Sequence, residues 1–349
     1  MDKERVVEVL RGIIHPETGE NIVDGGIVQG IDFDGAHTVI TLRFVKARDP
    51  FAARIKRDIV RMISEAEPGA EVTVNIEEHK PAEKPEEHSF ARSTGIVIAI
   101  ASGKGGVGKS TVAANIAVAL RDAGYRVGLL DADIYGPSQP KMFGCEDAQP
   151  MAERVEGRDA ILPVEVQGIK LMSIGFFVQP SDAMLWRGPM ATSALRQLLH
   201  QTLWGELDYL LIDLPPGTGD VHLSIVGEIK IDSAVIVSTP QQVAVADVAR
   251  GVAMFRNPSV DIPVAGVIEN MAWFTPAELP DNRYYIFGKG GAARYAAENG
   301  LELIGQIPLI QSVAECADNG TPVASSDSAA ARYYREAAQK IVEKSVKRG

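Results

Sequence analysis

The chain has 349 residues, 46% hydrophobic and 23% charged, and its 35 Lys and Arg against 46 Asp and Glu leave a formal net charge of −11. That balance excludes disorder along the whole length and argues against a general nucleic-acid binder, since a phosphate backbone calls for a positive counter-surface. At roughly 150 residues per domain, the length suggests about two domains. No run of about 18 apolar residues marks a membrane span. The two cysteines, Cys145 and Cys316, do not make a disulfide framework. The opening residues Met1–Arg5 lack the apolar core of a secretion signal. A reducing, cytoplasmic location is therefore expected, with no membrane and no nucleic-acid partner.

In chain order, a helix is predicted over Arg5–Ile14, where Val6, Val9, Leu10 and Ile13 fall on one face. Strand-like runs follow at Ile22–Ile31 and His37–Phe44. A second helix is predicted from Phe51 to Glu65, with Ile55, Ile59, Met62 and Ile63 on one face. Pro68-Gly69 breaks the chain before a strand at Glu71–Ile76. The order α-β-β-α-β predicts a small α+β domain over residues 1–78, both helices packed on one sheet face. Residues 79–94, HKPAEKPEEHSFARST, are rich in charge and carry two prolines, which reads as a linker.

From residue 95 to 349, apolar strands alternate with helices. Strands are predicted at Gly95–Ala101, Arg126–Leu130, Ile169–Ile174, Tyr209–Ile212, Ala234–Val237, Val264–Ile268 and Glu302–Ile307. Continuous apolar runs such as IVIAIA and YLLID fit strands covered on both faces. The expected fold of this domain is α/β, a doubly wound and mostly parallel sheet. A last helix over Arg332–Arg348, with Tyr334, Ala338, Ile341 and Val342 on one side, is expected to pack on the sheet rather than on a membrane.

Gly103-Lys104-Gly105-Gly106-Val107-Gly108-Lys109-Ser110 matches the phosphate-loop pattern G-x-x-x-x-G-K-[ST]. A strand precedes it and a helix, Ser110–Ala123, follows. The glycines allow the main chain to approach a ligand, and main-chain N–H groups at the helix start face its phosphates. Lys109 is expected on the β/γ-phosphates, the Ser110 hydroxyl on Mg²⁺, and Thr111 beside the α-phosphate of ATP. Lys104 is a second lysine in the loop. It reads either as a solvated surface lysine or as a charge that touches phosphate across a dimer interface.

GKGGVGKS is the deviant Walker A signature and resembles the MinD/ParA/nitrogenase-iron-protein class of ATPases, which sandwich two nucleotides between two subunits. The resemblance implies a homodimer and two switches. In the first, LLDADIYGPS, Asp133 is expected on the water side with Asp131 in support. Tyr209–Asp213 is an apolar strand ending in a carboxylate, the Walker B arrangement, so that Asp213 holds Mg²⁺ through water, and Leu214–Asp220 is then the second switch, near the γ-phosphate. Catalysis then rests on positioning and on positive charge from Lys104, Lys109 and Mg²⁺, with no strong general base.

DADIYGPSQPKMFG, LIDLPPGTGD, VSTPQQVAVADV, GVIENM and IFGKGG are together similar to the Mrp/NBP35/ApbC family over residues 95–345. HPETGENIVDGGIV, in the small domain, resembles the MIP18-like domain often fused ahead of it. This implies ATP hydrolysis in iron–sulfur cluster assembly or transfer to apoproteins, with a [4Fe-4S] cluster shared by two subunits. It also implies Asn270 on adenine, with Ile307-Pro308-Leu309 flanking the base, and a partner contact at Trp186–Met190. The family usually carries a Cys-x-x-Cys pair between its ENM and FGxGG segments. Here Ala272–Ile286 contains no cysteine, and Asp49-Pro50-Phe51 stands where a small-domain cysteine is expected. Cys145 and Cys316 read as small buried hydrophobes. The six histidines show no metal-ligand spacing. Two other readings stay open: a ParA/MinD-like positioning ATPase, and a nucleotide-switched adaptor that holds no cluster itself.

Overall fold

The computed structural model describes residues 3–16, 19–34, 37–42, 44, 49, 51–76, 94–155, 157–177 and 188–345. The chain divides into two compact units, Met1–Glu87 and His88–Gly349. The linker expected at 79–94 lies outside the described residues except for Thr94, which opens a strand.

The first unit runs α1 (Lys3–Arg11), β1 (Val28–Asp34), β2 (His37–Leu42), α2 (Ala52–Ala66) and β3 (Glu71–Ile76). β1 and β2 pair antiparallel and β2 and β3 parallel, so α2 is the crossover that parallel pairing requires. Ile55, Ile59 and Ile63, spaced by four, turn one face of α2 inward. They meet Val6 and Leu10 of α1 and Ile40 and Leu42 of β2 in one apolar cluster. The strand expected at Ile22–Ile31 begins only at Val28. Before it, Asn21 Oδ1 accepts the main-chain N–H groups of Val23 (3.1 Å) and Asp24 (2.8 Å), an Asx turn that keeps the segment out of the sheet.

The second unit is built on β4 (Thr94–Ala101), α3 (Lys109–Asp122), β5 (Val127–Asp131), α4 (Gln139–Met142), β6 (Ala152–Val155), β7 (Arg158–Ile161), β8 (Val164–Val166), β9 (Ile169–Ser173), α5 (Gly188–Gln201) and β10 (Leu207–Asp213). It continues through α6 (Asp220–Glu228), β11 (Ser233–Ser238), α7 (Gln242–Phe255), β12 (Val264–Phe274), α8 (Gly291–Glu298), β13 (Leu303–Leu309), α9 (Gln311–Asp318) and α10 (Ala329–Lys344). The sheet order is β13-β12-β11-β4-β10-β5-β9-β8, parallel throughout except for the antiparallel edge strand β8.

Successive residues of the central strands feed opposite cores. Ile98 and Ile100 of β4 join Val112 and Ile116 of α3 and Tyr334 and Ile341 of α10. Val97, Ala99 and Ala101 join Leu195 and Leu199 of α5 and Val248 and Phe255 of α7. Both faces are thus covered by helices, as the apolar runs predict. α10 packs on the first face, as expected for the tail, and starts where the Ser328 hydroxyl accepts the Ala331 N–H.

The hairpin β6–β7 and the strand β8 were not anticipated, because their short stretches, such as Ala152–Val155, are largely exposed and carry no apolar run. β12 also runs past the expected end at Ile268 to Phe274, so Asn270 lies within a strand and not after one.

Candidate nucleotide site

The site lies at the carboxyl ends of the central strands, the usual place for a ligand in an open α/β sheet. β4 delivers the loop Ser102–Gly108, β5 ends at Asp131, and β10, between them, ends at Asp213. Asp213 and Asp131 are register partners, so two carboxylates stand side by side at the strand ends.

The loop is shaped by glycines where nothing else fits. A Cβ on Gly103 would lie 2.3–2.4 Å from atoms of Asp247 on α7. Gly108, the residue before α3, has φ +81°, and a Cβ there would sit 2.3 Å from Asn270 Nδ2. That amide donates to the Val107 carbonyl at 2.9 Å and braces the loop from behind. Lys104 Nζ reaches Gln241 Oε1 at 3.4 Å. The Gly217 N–H of the second switch donates to the Ser102 carbonyl at 3.0 Å, tying that switch to the loop.

Lys109 is buried and paired with Asp213 Oδ1, while its Nζ also lies 3.3 Å from Ser110 Oγ. Asp213 Oδ2 accepts from Gln139 Nε2 at 2.8 Å, and the same Gln139 nitrogen donates to the Ser110 carbonyl at 3.0 Å. Asp131 is enclosed. It accepts the main-chain N–H groups of Asp133 (3.2 Å), Ser138 (3.0 Å) and Gln139 (3.1 Å) and the Ser173 hydroxyl (3.0 Å). Burial and the neighbouring Asp213 charge push its carboxyl up to about 7. Burial also raises Asp133, which receives main-chain hydrogen bonds from Gly136 and Tyr135.

Among the described residues, four buried side-chain atoms at the strand ends and switches have no protein partner: Asp133 Oδ1, Gln139 Oε1, Thr239 Oγ1 and His222 Nε2. Such atoms cost free energy unless something else binds them. The oxygen set of Ser110 and Asp213 suits a hard cation, and the glycine loop at the start of α3 suits phosphate. The residues therefore fit Mg²⁺ and a nucleotide.

Sequence reading singled out Lys109, Ser110, Asp131, Asp133, Asp213 and Asn270, and the structure brings them together around the loop. It missed Gln139, His222, Thr239 and Glu269. Gln139 stood inside the quoted family segment DADIYGPSQPKMFG, one residue past the first switch, but nothing in the pattern aims its side chain. Glu269, fully buried, accepts the α8 N–H groups of Ala292 (2.8 Å) and Ala293 (3.1 Å) and the Gln306 amide (2.7 Å), so it fastens α8 to the sheet. His222 donates to the Pro215 carbonyl in the second switch, and burial lowers its pKa.

The thiols lie elsewhere. Cys145 and Cys316 are half-buried against the α3 side of the core. Burial and Glu146 push the Cys145 thiol up to about 11. Among the described residues, no group of three or more His, Cys, Asp and Glu is placed to hold a metal ion. In the small unit, His15 and Asp49 form a buried pair at 3.3 Å, with Phe51 edge-on to the imidazole at 5.6 Å. Trp186 lies outside the described residues, and Gly188 opens α5.

Residues 93–342 match the family of NUBPL iron-transfer P-loop NTPases. The chain belongs to that family. Residues 3–76 match a second family, described as iron–sulfur cluster assembly protein. The iron–sulfur cluster carrier protein of Synechocystis is 39% identical over 346 residues, 98% of this chain and 97% of that protein. The carrier protein of Aquifex aeolicus is 50% identical over 242 residues, 68% of this chain and 65% of that protein. Among solved structures, a nucleotide-binding protein in complex with ADP from Archaeoglobus fulgidus is 39% identical, with TM-score 0.58, covering 67% of this chain and 91% of that one. The cell division ATPase MinD of Pyrococcus furiosus, 23% identical with TM-score 0.54 over 71% of this chain and 99% of that one, shares the fold. In this NUBPL-type NTPase no helix among the described residues is long and apolar enough to cross a membrane.

Proposed function

We propose that the chain binds and slowly hydrolyses ATP as the nucleotide-driven component of iron–sulfur cluster assembly, acting as a cytoplasmic homodimer on apoproteins or assembly factors. The observation that carries this reading is Lys109, held beside Asp213 and Ser110 at the mouth of a glycine loop, in a family of iron-transfer NTPases.

The main-chain N–H groups of Gly105, Gly106, Val107 and Gly108 cradle the phosphates. Lys109 leaves Asp213 for the β/γ-phosphates, and Thr111 stands by the α-phosphate. Ser110 and, through water, Asp213 hold Mg²⁺, which neutralises phosphate charge when bound. Asp133 orients the attacking water, and Asp131 holds the first switch through its four acceptor contacts. Lys104 supplies charge across the dimer. Asn270 serves the adenine side while bracing Val107.

The cluster is cargo here. With no cysteine in Ala272–Ile286 and two cysteines in the sequence, this chain alone does not supply four thiolates, so its ligands come from a partner. The test is phosphate release by the purified protein with Mg-ATP, repeated on Lys109→Ala. Release that disappears in the variant supports the ATPase; release unchanged by it overturns the assignment.

A further inference from the structure

We propose that Gln139 is a positioning residue that holds the Asp213 carboxylate in its metal-ready orientation while Lys109 moves onto the nucleotide. The proposal rests on the nucleotide reading above and names a residue that reading does not use.

Asp213 is wholly buried and has two side-chain partners. One, Lys109, is the loop lysine, which must leave for a phosphate. The other is the Gln139 amide, 2.8 Å from Oδ2. A buried carboxylate that loses its cation keeps its rotamer only through remaining hydrogen bonds. Gln139 is itself anchored, because its nitrogen also donates to the Ser110 carbonyl at 3.0 Å and its main-chain N–H donates to Asp131 at 3.1 Å. One fully buried side chain thus links the first switch, the start of α3 and the end of β10. It joins the two residues proposed for the metal, Ser110 and Asp213.

Its remaining atom makes a second, independent point. Gln139 Oε1 is buried, with no protein partner among the described residues. An orphaned acceptor beside Asp213 is placed to accept from water held in the site, and the hydration of a divalent cation provides such donors. A neutral amide suits this position better than a carboxylate. Asp131 and Asp213, register partners at adjacent strand ends, already bring two carboxylates together.

The test is the ratio of ADP affinities in excess Mg²⁺ and in EDTA, measured by calorimetry on the full chain and on Gln139→Met. Methionine keeps the length and removes both donor and acceptor. The ratio is expected to fall about tenfold in the variant, the equivalent of one lost charge-assisted hydrogen bond, with the EDTA affinity unchanged. Mn²⁺ electron paramagnetic resonance then reads the metal directly, and the variant is expected to bind Mn²⁺–ADP with correspondingly weaker affinity. An unchanged ratio, or equal losses with and without metal, overturns the proposal, the second outcome meaning that Gln139 only supports the fold. If the parent protein binds no ADP under either condition, the nucleotide reading itself has failed instead.

Discussion

At the scale of single residues, the site is a set of buried charges that tolerate burial only through one another. Lys109 and Asp213 are nearly inaccessible, and each is the other's counter-charge. In the proposed site, replacing Lys109 by Ala would remove a charged contact to phosphate, with an expected cost of about 2–3 kcal/mol, or roughly 30- to 150-fold in Mg-ATP affinity by calorimetry. It also strands the Asp213 carboxylate, so the nucleotide-free variant is expected to lose about 3 kcal/mol in urea unfolding. His222 gives a pH signature. Its folded pKa lies below the ordinary value because it is buried, so the unfolded chain takes up the proton first on acidification. The His222 contribution is therefore complete above about pH 6.5 and is lost as pH falls below that value toward its lowered folded pKa. In His222→Asn, the drop in Tm between pH 7 and 5 is expected to be shallower than in the parent; an identical drop would mean that His222 is not held neutral.

At the scale of elements, close approach decides what is allowed. Gly103 lies so near Asp247 that Gly103→Ala must push the loop and α7 apart, at a cost of about 1–3 kcal/mol, and ADP binding is expected to vanish in calorimetry. Glu269→Ala leaves two α8 N–H groups and the Gln306 amide without their acceptor, about 1–3 kcal/mol. Hydrogen exchange at Ala292 and Ala293 is expected to accelerate, while exchange in α3 stays as it was. The main parallel strands were legible because burial on both faces leaves an apolar run that no other environment favours. The phosphate loop was legible because its backbone shape needs glycine at fixed spacing. Other features left no such mark. The Ala152–Val155 and Arg158–Ile161 hairpin is mostly exposed, so it has little apolar signal, whereas the turn at Asn21 was signalled by Asp24-Gly25-Gly26 but was outweighed by the flanking Ile and Val residues. Gln139 and Glu269 act through where their side chains point, which depends on strands and helices brought together from far along the chain.

At the scale of the whole molecule, two compact units each carry their own core, and each matches a family of its own. The anaerobically reconstituted chain alone is expected to retain no stoichiometric iron or sulfide, because its thiols lie apart from the segment where the Mrp resemblance expects the pair. Iron and sulfide counting reads this directly, and a full cluster on the isolated chain would show that it provides ligands of its own. The central claim is that the glycine loop, Lys104 and Lys109 hold a triphosphate where two copies meet. Titration of the protein with Mg-ATP in a calorimeter, with sedimentation on the same sample, tests it most directly. Saturable binding of one nucleotide per protomer together with a shift from monomer to dimer is the predicted result; no heat and no pairing would contradict it.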